Sequence, residues 1–328
     1  MTAVLLLTRV AVAAATQNRR EVGPVVALVR HVRSLRLLLI PRLARSALDA
    51  RRRLLGNGRH PPAGQLVFIQ HSFYLSKALR WYERPRAALE HLRFVERGFT
   101  NGFLRHLERN GSITLWERRM DAGEIAIRLQ PAVGPEGELS VVASVNGQPA
   151  GVVSFAFTRC TTPAGLSQGA TLFVARSQSS VTHDKLLAAL PVSRPQALCM
   201  AAVEGIALAV GATRIVGIGH AAQYCYSASR HASFMHSYDD FWRQQGGLEI
   251  PGGFAMPVPL AFRALDQIEP KHRQRARRRR ALQGDISASS HDSMSAWVAS
   301  STSPVGEAFR EAVAANRLTD VEQARRRA

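Results

Sequence analysis

His220 follows directly on RIVGIG (214–219), an apolar run that reads as a strand. A histidine at the carboxyl end of a strand stands where a general base reaches a ligand, and its charge changes near neutral pH. Tyr224 lies four residues further on, and Glu204 sits on the apolar helix that precedes the strand. Asp239 and Asp240 stand between Tyr238 and Phe241-Trp242 in SYDDFWRQQGG (237–247). Two carboxylates among three rings either do chemistry or start a helix. The spacing favours the helix: Ser237 followed three residues later by Asp240 is a capping-box spacing, and Asp239 falls in a first turn where the helix dipole favours negative charge. Gly246-Gly247 then ends that helix. His220, Glu204, Tyr224 and Asp239 are therefore the catalytic candidates. Against them stand a hydrogen-bonded loop histidine, a solvated Glu204 and a capped helix whose inner face is Tyr238, Phe241 and Trp242.

Other chemistries find less footing. His231 and His236 are five apart, off the four-residue spacing that puts two imidazoles on one helix face, so no metal site is predicted. Cys160, Cys199 and Cys225 are odd in number and lack a CxxC spacing, which fits a reducing cytoplasm rather than a disulfide framework. No GxSxG, Walker A or dinucleotide glycine pattern occurs, which removes serine hydrolases, P-loop nucleotidases and dehydrogenases from view.

The strongest binding signal is charge. Forty-three Lys and Arg against 24 acids give a net +19 over 328 residues. Lys271, Arg273, Arg275, Arg277, Arg278, Arg279 and Arg280 concentrate it in one run. Such a run suits an anionic partner, whether nucleic acid, anionic lipid or envelope polymer. With no interleaved aromatics, sequence-specific reading of bases is not indicated. A second basic region, 25–55, repeats Leu and Val at three- and four-residue spacing with arginines between, as a basic amphipathic helix broken near Pro41. It suits peripheral contact with a membrane, or packing on the domain with its arginines solvated.

These residues need a scaffold. The pattern is helical from Ser72 to Asn110, with Pro85 near a helix start and Asn110-Gly111 at a helix end. The period then shortens. ITLWERR (113–119), EIAIRLQ (124–130), ELSVVASV (138–145) and AGVVSFAF (150–157) read as an antiparallel meander, with Asn146-Gly147 as a type I′ turn. TLFVARSQ (171–178) is a further strand. A helix opened by Ser193 and Pro195 and closed by Gly211 crosses to strand 214–219, and its nearly all-round apolar surface fits the crossover of a β-α-β unit. Two short strands flank the Pro251-Gly252-Gly253 turn. The fold class is mixed α/β (α+β): a helical N-terminal part followed by a mixed, largely antiparallel sheet. Residues 1–70 form a basic helical extension, 71–284 the domain, and 285–328 a polar tail. The start, MTAVLLLTRVAVAAATQ, lacks a basic region before its apolar stretch and is interrupted by Arg9, so it is not read as a cleaved signal. The expected location is cytoplasmic, or peripheral at an inner membrane.

GELSVVASVNGQPAGVVSFAF, RPQALCMAAVEGIALAVGATRIVGIGH, SYDDFWRQQGG and KHRQRARRRRALQG resemble, in order and spacing, the bacterial VirK/YbjX family. The likeness covers about 70 to 284. LRWYERPRAALEHLRFVE resembles the family's N-terminal helices more loosely. The resemblance implies a bacterial protein tied to virulence, envelope maintenance or stress, including DNA damage, and it supplies no active site. SQSSVTHDKLLAALPVSRPQ (177–196) departs from the family pattern and keeps only Arg194-Pro195 of it. The order of elements also resembles the GNAT-type acetyltransferase fold. That likeness implies acyl-CoA, with Arg194 as its candidate contact, although Ser193-Arg194-Pro195-Gln196 has no glycine and Pro195 brings no N–H. The first functional reading is binding of an anionic partner, with no cofactor. The alternative is a diverged GNAT-like acyltransferase.

Overall fold

The computed structural model describes residues 24–55, 73–120, 123–132, 134–158, 171–179, 194–262 and 264–299. Residues 1–20, Cys160, the Ser193 cap and the tail beyond 299 lie outside the described residues.

Helices α1 (Pro24–Leu35), α2 (Pro41–Leu55), α3 (Glu83–Gly98) and α4 (Phe103–Asn110) come first. The basic segment breaks where proline predicts, with a 3-10 turn at Arg36–Leu39 before Pro41 opens α2. Ala47 and Ala50 of α2 are buried, and α2 packs on α3. The orientation of α1 corrects the expectation of an apolar stripe packed inward. Its valines and leucines are exposed, while Arg30 and Arg33 are half-buried. Gly111, at φ +73°, ends α4 as the Asn-Gly pair anticipates.

Among the described residues one sheet of eight strands follows, in the order β1-β2-β3-β4-β5-β6-β8-β7. The strands are β1 (Ile113–Met120), β2 (Gly123–Pro131), β3 (Leu139–Val145), β4 (Gln148–Phe157), β5 (Thr171–Ser179), β6 (Arg214–Ile218), β7 (Leu248–Ile250) and β8 (Gly253–Pro257). Every neighbouring pair is antiparallel except β5 and β6. Asn146 and Gly147 both have positive φ and close the β3–β4 hairpin. Parallel pairing of β5 with β6 requires a crossover, and α5 (Pro195–Ala209) supplies it. This is the mixed, largely antiparallel sheet that the sequence predicts.

Between β6 and β7 run α6 (His231–Phe234), a π-helical turn (Met235–Asp239) and α7 (Asp240–Gln244). Among the described residues the last element is α8 (Pro270–Ser295). The crossover α5 lies against β3, β4 and β5 and under α8, so all its residues but Gln196 are buried. The two helices touch at their backbones: a Cβ on Gly205 would lie 2.2 Å from the Ser287 carbonyl oxygen. Residues 285–295, expected in a polar tail, instead continue α8 and bury Ile286, Ser287, Ser290 and Met294. Trp116 Nε1 and Arg118 each donate to Asp285, at 2.9 and 2.7 Å, and tie that half of α8 to β1. Trp297 then meets Phe103 of α4, so the chain's later part closes on the N-terminal helices. Among the described residues no helix is long and apolar enough to cross a membrane.

Candidate functional site

The parallel register of β5 and β6 runs from Thr171↔Arg214 to Val174↔Gly217 and stops there. At that point β5 also carries a bulge towards β4, because Phe155 pairs with Val174 and Ser154 with Arg176, leaving Ala175 over. Bulges re-aim a strand. Beyond it β5 continues to Ser179, while the chain leaving β6 turns at Gly219 into His220–Ala222. The π-helical turn packs against β5 there and buries Tyr238 and Asp239. Open α/β sheets bind ligands where such strands part.

His220 is held at this mouth by two bonds to one carboxylate. Its backbone N–H donates to Asp239 Oδ1 at 2.9 Å, and its ring Nδ1 lies 2.7 Å from Asp239 Oδ2. Asp239 is 8% exposed and His220 18%. A carboxylate only accepts, so Nδ1 carries a ring proton, and in the neutral ring Nε2 is the nitrogen with the lone pair. Trp242 sets the position of Asp239. Its indole covers Gly217, where a Cβ would fall 2.5 Å from the ring, and its Nε1 donates to Ile218 O at 2.8 Å. With Trp242 clamped on β6, Asp239 three residues earlier meets the residue that leaves β6.

This corrects the capping-box reading. The helix is entered from Ala228–Arg230, Ser237 lies inside the π turn, and no side chain caps any of these segments. Tyr238, Phe241 and Trp242 do share the buried face that was expected.

Around His220 stand Tyr226 and His231, whose rings meet it edge-on at 5.4 and 4.9 Å. Tyr226 Oη and His231 Nδ1 are 3.2 Å apart. Lys77 donates to Tyr226 O at 2.8 Å and lies over the rings of Phe73 and Tyr226. Its backbone N–H donates to Ala222 O, which binds this segment to the loop after β6. Beneath the loop, buried Gln223 donates to Glu136, whose other oxygen lies 3.5 Å from Arg176 just past the bulge. Burial raises the Glu136 carboxyl above its ordinary range, and Arg176 and the Gln223 bond oppose that shift.

The remaining candidates part company. Tyr224 packs towards Phe73 rather than His220. Glu204 is buried, not solvated. It accepts the Leu260 N–H at 2.6 Å in the layer between α5 and α8, and burial pushes its carboxyl up to about 7. Of the basic run, Lys271 pairs with Glu269, Arg273 donates to Ile268 O and Asp266 O, and Arg280 lies over Phe262. Arg275, Arg277, Arg278 and Arg279 are exposed on α8 and make no hydrogen bond or ion pair among the described residues.

The start of α5 does not fit the pyrophosphate of an acyl-CoA. Pro195 has no N–H, the Ala197 N–H is bonded to Arg194 O at 2.9 Å, and Gln196 N is pressed on β4, 3.2 Å from where a Cβ on Gly151 would lie. Arg194 is exposed there and is the one cation at that helix start among the described residues. Lys77 escapes a reading by motif, since its partners at Ala222 and Tyr226 lie across the fold, while Tyr226 and His231 lie within eleven residues of His220 in a segment with no catalytic motif. The one local sign is the density of His and Tyr in residues 220–231.

A family model described as a protein of unknown function (DUF535) matches residues 65–292. No curated protein matches. Among solved structures, a mutant form of a cAMP-binding acyltransferase from Mycobacterium smegmatis matches at 11% identity, over 59% of this chain and 59% of its own, with a TM-score of 0.28.

Proposed function

The chain belongs to the DUF535 family, which is the VirK/YbjX family, and we propose that it is an acyl-group transferase with His220 as its base. The observation that carries this reading is the two-point hold of buried Asp239 on His220, at 2.9 and 2.7 Å, where β5 and β6 part. Here one carboxylate fixes both the backbone and the tautomer, leaving Nε2 for a ligand, which is how a positioned base is built. The acceptor's hydroxyl or amine gives its proton to Nε2 as it attacks the donor's acyl carbon. The donor's thiolate leaves with the bonding electron pair and takes the proton from the imidazolium. Asp239 holds that imidazolium in place. No step is routed through the start of α5, and the acyl-thioester donor class is what the GNAT-type resemblance of the element order implies. The setting is the envelope and stress physiology that the family resemblance implies.

The test is thiol release from acetyl-CoA and from acetyl-pantetheine, with ethanolamine and glycerol as surrogate acceptors. His220→Ala is expected to lower the rate by about 100-fold or more. Equal rates in the two proteins overturn the reading.

A specific observation favours a second reading. Arg275, Arg278 and Arg279 recur at three- and four-residue spacing on the exposed first half of α8, while its second half is docked. A face of this kind suits nonspecific binding of an anionic partner, as nucleic acid or envelope polymer.

A further inference from the structure

The apolar side of α1 faces away from the protein. Val25, Leu28, Val29, Val32 and Leu35 recur at three- and four-residue spacing, each at least 40% exposed, and Leu39 just beyond is 71% exposed. Arg30 and Arg33 are half-buried instead, and both are engaged. Arg36 and Arg33 lie near enough to Arg84 to add to the effect of burial in lowering its pKa. A helix on a globular surface normally turns its stripe inward. A contiguous stripe turned outward marks a surface that something covers.

The charge of the segment narrows what that is. Residues 24–55 hold eight arginines and one aspartate. A good cover is therefore apolar at its centre and negative around it. Neither end of the chain offers both: residues 300–328 carry five arginines against four acids. Residues 1–23 carry Arg9, Arg19 and Arg20 against Glu21, and a second copy brings another +19. An anionic bilayer offers both, with acyl chains for the stripe and phosphates for the arginines. We propose that α1 lies in the interface of an anionic phospholipid bilayer, its valines and leucines at the acyl boundary and the exposed Arg36 and Arg42 among the headgroups. The contact is peripheral.

The experiment is sedimentation of the full chain with vesicles of phosphatidylethanolamine and phosphatidylglycerol, against vesicles of phosphatidylcholine alone. The wild-type chain is expected to sediment with the anionic vesicles and far less with the zwitterionic ones. Leu28→Glu with Val32→Glu should lower the partition coefficient at least about 10-fold at an unchanged thermal midpoint, since both side chains are exposed. Arg36→Gln with Arg42→Gln should lower it by about 30-fold, at about 1 kcal/mol per arginine near the surface. No sedimentation, or sedimentation unaltered by the glutamate pair, overturns the proposal. Two further outcomes would do so as well. A wild-type dimer that the glutamate pair makes monomeric assigns the stripe to a second copy. A polarity-sensitive dye on Leu28→Cys, with Cys160 and Cys225 changed to Ser, assigns it to the chain's own residues if its emission is already shifted without lipid.

Discussion

At His220 the chemistry turns on which ring nitrogen keeps its proton. Asp239 accepts from both the backbone N–H and Nδ1, and an asparagine there has one oxygen for two donors. If its amide NH2 faces Nδ1, the proton moves to Nε2 and the base is lost. Asp239→Asn is thus expected to cut thiol release by about 100-fold or more while the thermal midpoint moves by only a few degrees. A fall in midpoint that accounts for the lost activity, or an unchanged rate, would make the pair structural. Glu204 calls for a different test, because it lies away from His220 beneath α8. Burial, opposed by the Leu260 N–H and Ser287, lifts its carboxyl from 4.5 to about 7. The folded protein therefore holds that proton more tightly than the unfolded chain. Its stabilising share is fully present below pH 4.5 and is lost as pH rises through about 7. Glu204→Gln keeps the site neutral and an oxygen for Leu260. The variant's stability should gain on the wild type between pH 5 and 7.5, by about 1–3 kcal/mol in urea melts at each pH. A constant gap across that range would mean that the carboxyl does not titrate with folding.

The elements hold these residues by close approach more than by apolar bulk. Gly205 on α5 shows the balance. Alanine in a helix gains about 1 kcal/mol over glycine, but a methyl 2.2 Å from the Ser287 carbonyl has backbone in its way, and overpacking costs about 1–3 kcal/mol or more. Gly205→Ala should therefore lower the thermal midpoint, and an unchanged or higher midpoint would show that α8 can move away. The same contact explains what the sequence hides. Hairpins and crossover are legible because local chemistry decides them: Asn146-Gly147 takes positive φ, and α5 is apolar all round because it is covered all round. The second half of α8 is not legible. Its buried residues include Ser287, Ser290 and His291, chosen to let backbones meet, so the pattern reads as a polar tail. The candidate site is half legible. His220 is marked by its place after a strand, whereas Asp239 meets it 19 residues away only because Trp242 locks onto Gly217. Local spacing at Ser237 and Asp240 points to a cap, and tertiary packing overrides it.

At the scale of the whole molecule the charge of +19 is the dominant property, and its distribution decides what it can do. Counting every basic residue from 271 to 280 overstates the available surface. Lys271 and Arg273 are spent on their own neighbourhood, and Arg280 is partly buried over Phe262. Arg275, Arg278 and Arg279 share a side of α8, and Arg277 points elsewhere by helical phase. Three arginines that contact phosphates release about three sets of condensed counterions, so the affinity for duplex DNA should fall with salt at a slope of about −2.7 from this face, or about −0.9 per contact. Sequence should hardly matter, since nothing here reads base edges. Changing Arg275, Arg278 and Arg279 to glutamine should flatten the measured slope by about that amount, while Arg277→Gln alone should leave it nearly as it was. The fold tolerates these changes because solvated charges contribute little to stability. An unchanged slope in the triple variant would place any polyanion contact elsewhere on the basic surface. A slope that flattens while His220-dependent thiol release continues would show that α8 and the mouth of β5 and β6 serve separate ligands within one domain.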